Sequence, residues 1–188
     1  MKTELLRHIK KYLIYVAANR SSLRNQGKNV IAIARRYLWT LDLSEFSDVT
    51  ESGFSALLDS KTAALQLRFP VLRTKKPQLR RLFPYPTRNW GAPRKVLNIF
   101  LRDCVHHRDV SEFYGLRTLL PCLELPLDAR TALHLERSKR HEWRGVKWLD
   151  HELSNEFQAR ASRVGSGRGL HRVQLDYLWW PGAKSKGY

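Results

Sequence analysis

Pro70, Pro77, Pro84 and Pro86 fall within one short stretch, and on both sides of it apolar residues recur at helical spacing. Proline has no amide hydrogen to give a helix interior and disfavours helical geometry in the residue before it. Residues 68–90 are therefore read as an extended connection, and the fold must be assembled from helices on either side. Leu5, Leu6, Ile9, Leu13, Val16 and Ala17 make the first eighteen or so residues an amphipathic helix. Val30, Ile31, Ala34, Tyr37, Leu38 and Leu41 predict a second over about Leu23–Leu41, and Ser55–Leu67 a third. After the break, Pro93 suits a first helical position, with Leu97, Phe100, Leu101 and Cys104 as the buried stripe behind it. Further helices are expected at about Val110–Leu120, Ala129–Arg140 and Asp150–Val164. Gly165, Gly167 and Gly169 read as a loop, Leu170–Trp180 as a short strand or a last helix, and 181–188 as a loose tail. The class is all-α, in one domain over residues 1–188, a length that supports a sizeable core.

A net charge of +17 predicts a polyanionic partner, nucleic acid first. Residues 61–110 carry twelve basic and two acidic side chains, against nine and six before them and thirteen and nine after. The footprint is thus expected in the middle. There Arg68, Arg73, Lys75, Lys76, Arg80, Arg81 and Arg88 interleave with Phe69, Phe83, Tyr85 and Trp90, a mixture able to neutralise phosphates while flat rings meet bases.

Cys104 and Cys122 are the only cysteines, too few for a four-cysteine zinc or iron–sulfur site, and the histidines show no compact ligand spacing, so neither metal nor cofactor is expected. Arg7, His8, Lys10 and Lys11 interrupt the apolar residues of the start, which fits neither a signal peptide nor a membrane span. A cytoplasmic, nucleoid-associated monomer is the expectation.

Chemistry concentrates in RNWGAPRKVLNIFLRD (Arg88–Asp103) and LELPLDART (Leu123–Thr131). A glycine-bearing hairpin feeds a helix with Lys95 in its first turn, and a second helix can return the chain to set Asp128 beside that amine. An amine attacks only when neutral, and a helix N-terminus with Arg88 and Arg94 alongside favours the neutral form. Asp128 would stay ionised, to stabilise positive charge developing on a sugar or to take the nucleophile's proton. Arg88, Asn89, Trp90, Gly91 and Arg94, with Arg73, Lys75, Lys76, Arg80 and Arg81, are the candidate DNA contacts. Lys95 as a phosphate contact and Asp128 as a helix N-cap are the roles these residues would have without chemistry.

These segments resemble the helix–hairpin–helix DNA glycosylases, particularly the compact branch containing the archaeal 8-oxoguanine DNA glycosylases. Gly91 matches that family's hairpin glycine, Lys95 its catalytic lysine, and Asp128 in Leu-Pro-Leu-Asp its essential aspartate, over about forty residues of the chain. The turn reads NWGAPRK, with Trp90 where a small or apolar residue is usual and without a second glycine. The resemblance implies a two-lobed helical domain without an iron–sulfur cluster, with hairpin and catalytic helix at about 88–107. It also implies flipping and excision of a modified base from duplex DNA, with strand nicking by elimination as a possible second step. The base is open between 8-oxoguanine, in repair, and a modified cytosine of phage DNA such as a glucosylated hydroxymethyl form, in antiviral defence. Trp39, Trp90, Trp143, Trp148, Trp179 and Trp180 are candidates to receive the base.

Two other readings stand beside it. Arg102 and His107 have the Arg-x4-His spacing of HEPN ribonucleases, and the same charge and aromatics would serve a DNA-binding protein without catalysis.

Overall fold

The computed structural model describes residues 2–72, 87–135 and 143–179, with Leu72, Thr87 and Arg88 described in backbone course alone. Arg73, Lys75, Lys76, Arg80, Arg81 and Trp180 lie outside these residues, as do the C-terminal half of the helix expected over Ala129–Arg140 and the tail.

The architecture is all-helical apart from one minimal ribbon. In order come α1 (Lys2–Ala17), α2 (Val30–Thr40), α3 (Glu51–Arg68), strands β1 (Val71–Leu72) and β2 (Thr87–Arg88), then α4 (Gly91–His106), α5 (Arg108–Phe113), α6 (Ala129–Leu135), α7 (His151–Ser166) and α8 (Leu175–Trp179). Short 3₁₀ turns at Leu43–Phe46, Arg117–Leu119, Val146–Trp148 and Arg172–Gln174 link them. Among the described residues no helix is long and apolar enough to cross a membrane.

Local chemistry explains most boundaries. Thr50 Oγ1 accepts the Gly53 amide at 3.1 Å and starts α3 one turn ahead of the expected Ser55. Pro70 holds Phe69 extended and ends that helix. The ends of the proline-rich connection are extended as expected, and they pair antiparallel, Val71 with Arg88 and Leu72 with Thr87. The second helix begins at Val30, later than its periodicity suggests, because Asn25, Gly27 and Asn29 all have positive φ and cannot continue a right-handed helix. The helix expected over Val110–Leu120 stops at Phe113 for the same reason, Gly115 having φ +66°. Leu170–Trp180 resolves in favour of a helix: a 3₁₀ turn running into α8. Gly165 belongs to the last turn of α7, where an added Cβ would lie 2.7 Å from the Leu170 carbonyl oxygen.

The centre of the molecule is α4. It packs against α1, α2, α3 and α5, and its N-terminal end sits under the Val146–Trp148 turn. Every residue from Gly91 to Asn98 is buried, as are Phe100, Leu101, Cys104 and Val105. A helix covered on all sides gains the burial of each large apolar side chain, about 1.5–3 kcal/mol apiece. Both cysteines are free and buried, and burial pushes the Cys104 thiol well above its usual range. The apolar interior forms two clusters, one built around α1–α5 and the other from Leu125, Leu127, Ala132, Leu135, Leu149, Phe157, Ala161, Leu175 and Trp179.

Gly91 marks where the clusters meet. A Cβ there would collide with the Val146 carbonyl and lie 2.7 Å from Leu149 Cβ. Gly91→Ala is expected to lower stability by about 1–3 kcal/mol through overpacking. A thermal melt unchanged from wild type would show that the Val146–Trp148 turn yields freely.

Candidate active site

Lys95 and Asp128, separated by 33 positions, meet with Nζ donating to Asp128 Oδ2 at 3.2 Å. Lys95 is buried and Asp128 partly so. Each is delivered by a different local device.

The amide of Arg94 already bonds to the Trp90 carbonyl, so α4 begins at Gly91 and not near Pro93. Lys95 is therefore its fifth residue, beyond the first turn, where the helix dipole is felt most. The flanking charge expected to favour a neutral amine is also compensated. Arg94 Nε and Nη2 donate to the Glu124 carboxylate at 2.8 and 2.6 Å, and Nη1 donates to Asp59 Oδ1 at 2.6 Å and Thr62 Oγ1 at 3.2 Å. At 2% exposure Arg94 is a structural cation, a correction to its expected place among the DNA contacts.

Asn89 and Gly91 need the same correction. Asn89 is 1% exposed; its Oδ1 accepts the Ala92 amide at 3.0 Å and its Nδ2 donates to Gln26 Oε1 at 2.6 Å, so it opens α4 instead of meeting a phosphate. Gly91 is buried under the Val146–Trp148 turn. Trp90 is half-buried, edge-on to His151 at 5.8 Å, with the Arg94 guanidinium over its ring at 5.3 Å. Arg88 lies in β2, described by its backbone course.

Asp128 follows the segment Leu123–Leu127, which is neither helix nor strand and is buried throughout. A buried irregular segment must find partners for its backbone groups outside a helix or sheet ladder. The Gln158 side-chain amide supplies two, accepting from Leu125 N and donating to Leu125 O, both at 2.9 Å. Arg172 supplies two more, donating to Leu123 O at 2.9 Å and Cys122 O at 2.8 Å. The segment is thus pinned just ahead of Asp128. Asp128 Oδ1 then accepts the amides of Arg130 and Thr131 at 2.9 and 3.1 Å, capping α6, while Thr131 Oγ1 accepts the Asp128 amide at 2.9 Å. Capping occupies one carboxylate oxygen and leaves the other for Lys95. Burial alone would raise the Asp128 carboxyl, but the charge of Lys95 and the hydrogen bonds of Thr131 and Arg130 outweigh it and hold the group below its usual range.

The pair borders a cavity of about 710 Å³ between the end of α1, α4 and α8. Its wall includes three side chains that sequence periodicity did not single out together: Arg102, Asp176 and Tyr177. Arg102 pairs with Asp103 at 2.7 Å and with Asp176. Burial raises the Asp176 carboxyl; Arg102 opposes that, and the charge of Asp128 adds to it. Tyr177 is 50% exposed, with the Arg102 guanidinium 5.3 Å from its ring centre. Arg102 stands seven residues after Lys95 on the same face of α4, whereas Asp176 and Tyr177 lie far off in sequence, and only the signal of a charged residue on an otherwise apolar last helix could have marked Asp176.

The tryptophans fall elsewhere. Trp39, Trp143, Trp148 and Trp179 are not among the described residues of this wall. Trp179 is buried and stacked on His134 at 4.8 Å, Trp143 meets Phe157 edge-on at 5.8 Å, and Lys147 lies over Trp148 at 5.2 Å. Trp143 and Trp179 cover apolar surface in the second cluster instead of facing the cavity, and Trp39 is exposed on another face. Arg102 and His107 are also separated in role, since Arg102 lines the cavity while His107 ends α4 outside its described wall.

A buried amine beside an ionised carboxylate, on the wall of a cavity, can form a covalent bond to an electrophilic carbon while the carboxylate takes the proton or steadies positive charge. Comparison of the chain with protein-family models, with curated proteins and with solved structures finds no match to any of them.

Proposed function

We propose that this protein is a DNA N-glycosylase of the helix–hairpin–helix kind, with Lys95 as nucleophile and Asp128 as its acid–base and electrostatic partner. The carrying observation is the 3.2 Å approach of Lys95 Nζ to Asp128 Oδ2 beside the cavity of about 710 Å³, a volume suited to a small ligand. The two apolar clusters with the pair near their junction suit a two-lobed glycosylase domain.

In the proposed reaction a modified base is turned out of duplex DNA into the cavity, where Tyr177 offers a flat face and Asp176 a carboxyl for its edge. The Lys95 ammonium gives up a proton, to Asp128 or to water, and the free amine bonds to C1′ of the sugar. The bond from C1′ to the base nitrogen breaks, and its electron pair leaves with the base. Asp128 passes any proton it has taken to the departing base and, ionised again, stabilises the positive charge on the sugar. Ring opening gives a Schiff base between Lys95 and C1′, from which elimination can nick the strand. No metal or cofactor takes part in this scheme.

The test is borohydride trapping on duplexes carrying 8-oxoguanine, uracil, an abasic site, or hydroxymethylated or glucosylated cytosine. A covalent adduct on one of them supports the proposal and names the base. Absence of any adduct, with no free base by mass spectrometry, would turn the reading to DNA binding without catalysis. Asp128→Asn keeps an oxygen for the Arg130 and Thr131 amides but loses the charge, so α6 should persist while single-turnover base release slows about a hundredfold or more. Base release at the wild-type rate would remove Asp128 from the chemistry.

A further inference from the structure

The middle of the sequence carries the largest basic excess, yet three of its described cations, Arg94, Lys95 and Arg102, are turned inward onto carboxylates, while Arg68 and Arg108 are exposed. A different surface holds unpaired charge. Between α1 and α2 runs a groove of about 670 Å³ whose wall includes Arg7, Lys11, Arg35, Arg36, Tyr15 and Trp39. Arg7, Lys11 and Arg36 are exposed, and among the described residues none of the four cations forms an ion pair with a carboxylate. Glu4 is the one acidic side chain among the described residues of that wall.

Aromatic surface accompanies the charge. Trp39 is 40% exposed and Tyr15 50%. Arg35 lies 3.9 Å from the centre of the Tyr15 ring, and its Nε donates to the Ala18 carbonyl at 2.9 Å, which fixes the guanidinium in place. Arg7 lies 5.6 Å from the Trp39 ring centre. Planar cations and rings along one line are the surface on which unpaired bases stack while the charge meets their phosphates.

We propose that the α1–α2 groove is a second nucleic-acid site, which holds a phosphodiester strand with unpaired bases next to the Lys95 cavity. The adjacency is built into α1, where Tyr15 lines the groove and Val16 the cavity. From Arg7 to Tyr15 the helix rises about 12 Å, a length that a few nucleotides of an unpaired strand span. The proposal rests on the nucleic-acid part of the function proposed above and is independent of base excision. It gives the strand opened by base extrusion a place to lie.

The test is fluorescence anisotropy with a labelled single-stranded oligonucleotide of about a dozen residues, in Lys95→Ala protein so that no strand chemistry intrudes. The variant Arg7→Ala/Lys11→Ala/Arg36→Ala removes exposed side chains and leaves Arg35 to its structural bond. It should bind at least tenfold more weakly, and the slope of log affinity against log salt should fall by about 2, three contacts at about 0.7 each. A matched triple on other surfaces, Lys28→Ala/Arg163→Ala/Arg168→Ala, should leave affinity within about twofold. Trp39→Ala should weaken oligonucleotide binding about fivefold or more without changing the affinity for poly-glutamate of equal charge. Circular dichroism melts confirm that each variant is folded, and the single variants replace the triple if it is not. Equal losses in the two triples would overturn the groove as a site. Equal losses on oligonucleotide and poly-glutamate in Trp39→Ala would overturn the strand assignment. A missing borohydride adduct in wild-type protein would fail the excision proposal and leave these binding measurements as they stand.

Discussion

Lys95→Ala should abolish the borohydride-trapped adduct on the reactive duplex while leaving affinity for that duplex within a few-fold of wild type. The amine is the one group of the pair whose bond to C1′ can open to a Schiff base that borohydride reduces, so its removal takes away the trapped species and not merely a rate factor. Binding survives because Lys95 is buried and paired with Asp128, and contributes little to the outward field. Lys95→Gln is the sharper version, since it retains most of the side-chain volume. Asp128 remains partly exposed and capped onto α6 in either variant, so the fold should tolerate its release. Measured by denaturing gel and by anisotropy on one preparation, an adduct that persists in both variants would remove Lys95 as nucleophile. An adduct lost together with all duplex binding would make it a phosphate contact instead.

Arg94→Ala should be the most destabilising single change among the charged residues. It strands Glu124, 7% exposed, with Asn98 Nδ2 at 3.0 Å as its remaining side-chain donor. Breaking a buried pair by removing one partner costs about 3–5 kcal/mol. For a chain of 188 residues that is a fall in Tm of roughly 6–20 °C. Arg94→Met with Glu124→Leu removes both charges and should recover part of the loss, which a simple cavity effect would not allow. A single variant melting within a degree or two of wild type would sink the proposed role of the pair.

The same carboxylate dictates a response to acid. Burial would raise the Glu124 carboxyl, but the hydrogen bonds and charge of Arg94 win, and the folded protein holds it below the ordinary value of 4.5. A carboxyl held low in the fold contributes stability that is complete above its ordinary range and is lost as pH falls through the folded value. Wild-type Tm should therefore fall on acidification below about 4.5, and fall less steeply in the Arg94→Met/Glu124→Leu protein.

Much of the helical framework was legible in the order of residues. The period of Leu6, Leu13 and Ala17 in α1, and of Leu97, Phe100, Leu101 and Cys104 in α4, survives in the structure as buried stripes, while Leu5 and Val16, expected in the α1 stripe, are exposed and Ile14 is buried instead. Boundaries shifted where a single backbone angle decided them, as at Asn25, Gly27, Asn29 and Gly115. The juxtaposition of Lys95 with Asp128 was also expected from spacing, and the two side chains meet. The expected DNA contacts fared differently. Asn89, Gly91 and Arg94 are polar, basic or small for reasons of packing and capping, and all three are buried.

Charge illustrates the division between what a one-dimensional reading reaches and what folding decides. Composition sets a net charge of +17 whatever the fold, and helical periodicity follows from local geometry that each segment carries within itself. Which cations face outward depends on partners dozens of residues away. Glu124 and Asp59 draw Arg94 inward, Asp176 holds Arg102, and Arg172 and Gln158 pin the segment that brings Asp128 to Lys95. Buried charge and buried backbone must be matched where they lie in space, and those matches are chosen by packing across the molecule rather than by neighbours in the sequence.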